Sequence, residues 1–121
     1  MDEVIVKVSS LDEFFDEAKV AARRFDAGDF TPSPAACLGF ETAELLLKTL
    51  TPNRWTLLRS LRKAGPMSIR ALSRLLGRDY RGVHSDVSAL LELGLIDRDD
   101  KGLIRVPWSK ITAELSIEEA A

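Results

Sequence analysis

Hydrophobic positions in this chain change period several times, and each change marks an expected element. The first run, Val4-Ile5-Val6-Lys7-Val8, is β-branched and reads as an edge strand or pairing arm, too short to be stable alone. From Ser10 the pattern turns helical. Ser10-Leu11-Asp12-Glu13 has the spacing of a capping box, and Leu11, Phe14, Phe15, Ala18, Ala21, Ala22 and Phe25 recur on a 3.6-residue stripe that stops before Gly28. Such a stripe needs a surface to cover it, either the core of its own chain or a second copy. Val4, Val6, Phe14, Phe15 and Phe25 are therefore the candidate dimer or partner interface. Residues 29–36, DFTPSPAA, read as a linker because two prolines exclude both helix and sheet interior. A short strand is expected over residues 37–40, after which Ala43, Leu46, Leu47 and Leu50 return to helical spacing.

The second half of the chain is more regular. Thr51-Pro52 is a helix entry, a Thr cap followed by Pro where the missing N–H does no harm. Trp55, Leu57, Leu58 and Leu61 then form the inward face, with Arg54, Arg59, Arg62 and Lys63 outward, until Gly65-Pro66 ends the helix. Pro66-Met67-Ser68 can form a small strand. Two short helices follow. The first takes Ser68 as cap, Ile69, Leu72, Leu75 and Leu76 as its apolar face, and Arg70 and Arg74 as its outward cations. Gly77-Arg78-Asp79 breaks the pattern, and Asp79 caps a second helix with Val83, Val87, Leu90 and Leu91 inward and Arg81, Ser85, Ser88 and Glu92 outward. His84 sits on the flank of that outward face. Arg78 and Tyr80 lie at its N-terminal mouth, where backbone N–H groups and the helix dipole favour a phosphate. Gly94 closes the helix. Residues 95–98 and 103–106 read as two strands across the turn Asp99-Asp100-Lys101-Gly102, with Arg98, Lys101 and Arg105 at the edges. Last, Ile111, Ala113, Leu115 and Ile117 alternate with polar residues, which predicts a strand at an edge or dimer boundary, followed by an acidic tail.

Charge sharpens this picture. The net charge of −2 is the sum of unlike parts: residues 1–50 carry five Lys and Arg against ten Asp and Glu, whereas residues 51–110 carry twelve against six. The positive field is thus concentrated on the region of the paired short helices, and local field governs affinity for a polyanion. No apolar run approaches the eighteen or more residues of a membrane span, and the acidic N-terminus is unlike a signal peptide. The single cysteine, Cys37, permits no internal disulfide and fits a reducing cytoplasm. One His and one Cys in separate segments support neither a zinc cluster nor a Cys-His pair, and there is no P-loop or dinucleotide fingerprint. The expectation is a non-enzyme without cofactor or metal. His84 and Asp86, at i and i+2, point to different sides of a helix, so a phosphate or base contact is expected of His84 and a structural bond of Asp86. Trp55 and Trp108 lie within apolar patterns and are expected to pack rather than to stack on bases.

The runs Leu50-Thr51-Pro52-Asn53-Arg54, Ser68-Ile69-Arg70-Ala71-Leu72-Ser73 and Arg78-Asp79-Tyr80-Arg81-Gly82-Val83-His84-Ser85-Asp86-Val87, with residues 90–96 behind them, resemble the winged helix-turn-helix regulators. Within that group the chain is similar to short, MarR-like DNA-binding proteins of archaea and bacteria, over residues 50–110. The resemblance implies a mainly α fold with a small β wing (α+β), in three parts: an N-terminal strand-helix extension over residues 1–50, the winged helix-turn-helix over 51–110, and a C-terminal strand and tail over 111–121. It further implies a cytoplasmic homodimer that binds double-stranded DNA, as a repressor or as the autoregulating antitoxin of a toxin protein. Arg81, Ser85 and His84 would then face base edges, Ser88 would share the same DNA-binding face, Arg70, Arg74, Arg78 and Tyr80 would hold phosphates, and Arg98, Lys101 and Arg105 would make the wing's contact. A protein-binding module without specific DNA recognition is the alternative.

Overall fold

The structure, a computed structural model, describes residues 3–9, 11–28 and 36–117, with the side chains of residues 11–14, 17, 21, 24 and 25 outside that description. The expected cap Ser10, the linker over residues 29–35, the tail after residue 117 and the side chains of Phe14 and Phe25 therefore fall outside the described part. Among the described residues the fold is mixed, with five helices, a three-stranded parallel sheet and a two-stranded antiparallel one. The chain divides into two compact units, one of residues 50–108 and one formed by the segments on either side.

The flanking unit contains β1 (Glu3–Val8), α1 (Leu11–Asp26), β2 (Ala36–Phe40), α2 (Ala43–Thr49) and β5 (Lys110–Glu114). The strand order is β2-β1-β5, all parallel, with Val6 opposite Leu38 on one side and Ala113 on the other. This corrects the reading of the first run as an edge strand or arm. β1 is the central strand, and Val4 and Val6 are buried within their own chain at 3% and 0% exposure, so neither presents an interface to a second molecule. The physical reason was in the composition of the run: near-continuous β-branched residues suit a strand buried in a parallel sheet rather than one with an open edge. Its partners lie more than thirty and more than a hundred positions away, beyond the reach of local periodicity. Parallel neighbours need crossover connections. α1 lies in the connection from β1 to β2, and the whole 50–108 unit lies in the chain between β2 and β5. α2 packs against β1 and β2 with Leu46 buried, while Leu47, assigned to its inward face, is 55% exposed. β5 is an edge strand, as the alternating pattern predicts, but it ends at Glu114 and leaves Leu115 and Ile117 exposed.

The 50–108 unit holds α3 (Pro52–Ala64), α4 (Ile69–Leu76), α5 (Tyr80–Leu93), β3 (Asp97–Arg98) and β4 (Ile104–Arg105). Each helix begins at the expected cap: Thr51 Oγ1 accepts from Arg54 N at 3.3 Å, Ser68 Oγ from Ala71 N at 3.1 Å, and Asp79 Oδ2 from Arg81 N at 3.2 Å. Gly77 and Gly94 end α4 and α5 in the left-handed region, at φ 62° and 78°. Leu57, Leu61, Leu72, Val83, Val87, Leu90, Leu95, Ile96 and Ile104 are fully buried. Leu75 is not among them. It is 55% exposed, and Ser73 is buried in the same helix, its hydroxyl satisfied by the Arg70 carbonyl at 2.8 Å. β3 and β4 pair antiparallel across a turn held by Asp99, whose Oδ1 accepts from Lys101 N and Leu103 N, and Met67 bridges to Ile104 as a third, single-residue strand. Both strands are shorter than the 95–98 and 103–106 runs, because Leu95 and Ile96 turn into the core directly after the Gly94 stop.

Candidate nucleic-acid interface

The inward stripe of α5 fixes what its other side presents. With Val83, Val87 and Leu90 at 0% exposure, rotation by about 100° per residue leaves Arg81, His84, Ser85, Ser88 and Glu92 outward, and all five are exposed. Ser88 is partly committed, its hydroxyl donating to the His84 carbonyl at 2.9 Å. α4 packs against α5. Its Arg70 guanidinium lies 5.0 Å from the centroid of the Tyr80 ring, and Tyr80 in turn lies 5.8 Å from the His84 ring at an interplanar angle of 47°. Arg70, Tyr80 and His84 are thus joined in one exposed row across the two helices. Arg74, one turn beyond Arg70, and Arg81, beside Tyr80, are exposed and take part in no ion pair among the described residues.

Arg78 is a correction. It was expected to hold a phosphate at the mouth of α5, but its Nη2 donates to Asp86 Oδ2 at 2.8 Å, and Nη1 is buried without a protein partner. Asp86 also accepts from Arg54 Nε at 3.0 Å through its other oxygen. One carboxylate, 14% exposed, therefore ties the first turn of α3 and the α4–α5 link to the middle of α5. The cause is position: Asp86 stands beside the inward Val87 and close to Val83, and a half-buried carboxylate there requires cationic partners. The structural bond expected of Asp86 is present. What escaped the sequence was the identity of both donors, since Arg54 lies 32 positions away and looked like another outward cation.

The antiparallel pair β3–β4 presents its cations unequally. Arg105 Nε donates to Asp97 Oδ1 at 2.7 Å, and this hydrogen bond, with the carboxylate charges of Asp97, Asp99 and Asp100, raises the guanidinium above its ordinary pKa. Arg98 donates from Nη1 to the Gly102 carbonyl at 3.3 Å. Both exposed side chains are thus held by the hairpin, whereas the Lys101 side chain at its tip makes no such bond among the described residues. Trp108 packs as expected rather than standing free: it is half-buried, its indole N–H donates to the Gly94 carbonyl at 2.9 Å, and its own carbonyl accepts from Arg62 Nε at 2.9 Å. Among the candidates for an interface with a second chain, Phe15 is exposed. Among the described residues, no helix is long and apolar enough to cross a membrane, and no group of three His, Cys, Asp or Glu is placed to hold a metal ion.

A family model, HVO_A0114, matches residues 49–113, more than half of the chain, and the chain belongs to that family. The match begins at the last residue of α2 and ends within β5. No curated protein matches the chain, and no solved structure matches it.

Proposed function

We propose that this member of the HVO_A0114 family is a double-stranded DNA-binding regulator of the winged helix-turn-helix, MarR-like kind, with α5 as the helix that enters the major groove. The observation that carries the reading is the outward face of α4 and α5: Arg74 and Arg81 exposed and, among the described residues, without ion pairs, beside the row Arg70, Tyr80 and His84. Backbone phosphates are the partners such a face suits, because unpaired guanidinium groups release counterions from a polyanion on binding. Arg81, Ser85 and His84 would reach base edges, Arg70, Arg74 and Tyr80 would hold the phosphate track, and Lys101 would carry the wing to the backbone. Arg78 drops out of the contact set, being held by Asp86. Arg98 and Arg105 join only by exchanging an exposed intrachain bond for a phosphate, an exchange of little cost at the surface. Reading a two-fold operator requires a homodimer, which belongs to the same proposal.

The test is a gel shift with duplex DNA, including the segment upstream of the protein's own gene, at two salt concentrations. Retardation that weakens steeply with salt is expected. No retardation at low salt overturns the reading and leaves the protein-binding alternative, which includes the antitoxin role.

A further inference from the structure

We propose that β5 pairs antiparallel with β5 of a second copy of this chain, about a two-fold axis that passes through Thr112, so that two three-stranded sheets join into one. β5 is an edge of the parallel sheet, and its run KITAE has neither the proline nor the glycine that would blunt a pairing edge. Its backbone N–H and C=O groups that point away from β1 meet no protein partner among the described residues. Ile111 and Ala113 lie beside the buried Val4 and Val6 on one face, yet Ala113 is exposed and Ile111 half-buried, and Leu115, 46% exposed, follows on the same alternation. The covered face of the sheet thus stops at β5 with apolar side chains at its rim.

The charge order along β5 says which partner. A two-fold axis normal to the sheet permits only antiparallel pairing of a strand with itself, and with Thr112 on the axis every residue of β5 is paired. Lys110 then meets the partner's Glu114 and Ile111 the partner's Ala113, each pair occurring twice, as an isologous contact demands. A lysine on a sheet edge ordinarily hinders a further strand, but here the position that mirrors it is a carboxylate. β1 extends the match. It sets Glu3 beside Lys110 and Lys7 beside Glu114, so the row across the joined sheets runs Glu3, Lys110, the partner's Glu114, the partner's Lys7, alternating in sign throughout. Moving the axis to Ile111 or Ala113 loses both charge pairs, and moving it to Glu114 sets carboxylate against carboxylate. The other edge, β2, reads ACLGF and has no charge to direct a partner. The strand spans about 17 Å, so the contact is at the small end of interface sizes and suits a dissociation constant on the order of micromolar. The inference supplies the homodimer that the DNA-binding reading requires, but its test reads mass and distance rather than DNA, so each can fail without the other.

The full chain is measured by sedimentation over about 1–500 µM, as wild type and as the variants Lys110→Glu and Glu114→Lys. Wild type is expected to dimerise. Each variant alone is expected to dissociate about tenfold more readily, because two attractive cross-strand pairs become repulsive. The equimolar mixture is expected to regain dimer mass, since the heterodimer again sets Lys against Glu at both ends. Mixing cannot return the charge match that each variant also loses to Glu3 or Lys7 of its own β1, so recovery reports pairing between copies. The register has a separate reading. Cys37, exposed and the single cysteine, lies in one row with Ile5 and Thr112. Nitroxide labels attached there in wild type are expected about 24 Å apart, five strand spacings, before the label arms are added. A wild-type monomer across the range, variants that dimerise as tightly as wild type, a mixture that stays monomeric, or a label distance twice that expected overturns the proposal. If circular dichroism finds either variant unfolded, wild-type mass and the label distance decide the matter by the same outcomes.

Discussion

Arg74, Arg81 and Asp86 lie on the paired helices α4 and α5, yet their circumstances assign them different work. Asp86 neutralises Arg54 and Arg78, and all three side chains are at least partly withdrawn from water. Removing the carboxylate takes an ion-pair partner from both Arg54 and Arg78, so Asp86→Ala is expected to lower stability by about 1–3 kcal/mol, discounted from the cost of a fully buried pair. Urea titration of the variant measures this, and a change within a few tenths would show the bridge to be incidental. Arg74 and Arg81 have no such partner among the described residues. Arg74→Ala is expected to weaken binding to all duplex sequences alike and to reduce the salt slope by about one, whereas Arg81→Ala changes the ranking of sequences. Parallel gel shifts on unrelated duplexes read both. Equal loss on every sequence from Arg81→Ala would count against base reading at that position. Among the described residues neither cation has an ion-pair partner, which is why their exposure bears on function.

At the scale of the element, glycine separates two cases that look alike in a sequence. Gly77 ends α4 at φ 62°, a conformation in which an L side chain is strained, and Gly77→Ala is expected to cost about 1 kcal/mol. Gly82 sits inside α5 with helical backbone, and a Cβ there would meet the Arg78 Nη2 at 3.5 Å, an ordinary contact. Gly82→Ala is accordingly expected to raise stability by up to about 1 kcal/mol. If the glycine serves close approach of the α5 backbone to DNA, the same substitution lowers affinity. Thermal unfolding and gel shift on one sample check both signs, and unchanged affinity would remove that role from Gly82. The helices of the 50–108 unit were legible because their information is local: caps at Thr51, Ser68 and Asp79, stops at Gly65, Gly77 and Gly94, and stripes that 3.6-residue rotation converts directly into a buried face. α4 shows the limit of that conversion. Leu75, expected inward, is exposed while Ser73 is buried, because the apolar arc of an eight-residue helix is narrow, and the surface it packs on, rather than its composition, decides which edge is covered.

For the whole molecule, the division into two units makes a prediction of its own. Val6 and Leu90 are both at 0% exposure, one in the central strand of the parallel sheet and one in α5. Val6→Ala is expected to cost about 2 kcal/mol and to weaken amide protection in β1, β2 and β5 first, while Leu90→Ala costs about 2–5 kcal/mol and acts first on α3 to α5. Hydrogen exchange resolves the two patterns, and identical patterns from both variants would speak against separate cores. The sequence by itself determined the helices and their caps, the hairpin turn at Asp99, and the concentration of positive charge on residues 51–110, since these depend on neighbours a few positions apart or on simple counting. Only the tertiary structure decided that β1 lies between β2 and β5, that Asp86 takes its cations from α3 and from the α4–α5 link, and that Arg74 and Arg81 form no ion pair among the described residues. Those choices join residues from 8 to more than 100 positions apart. Burial sets the terms there: a strand or a carboxylate withdrawn from water must find its complement wherever the folded chain brings one, and local periodicity carries no record of that meeting.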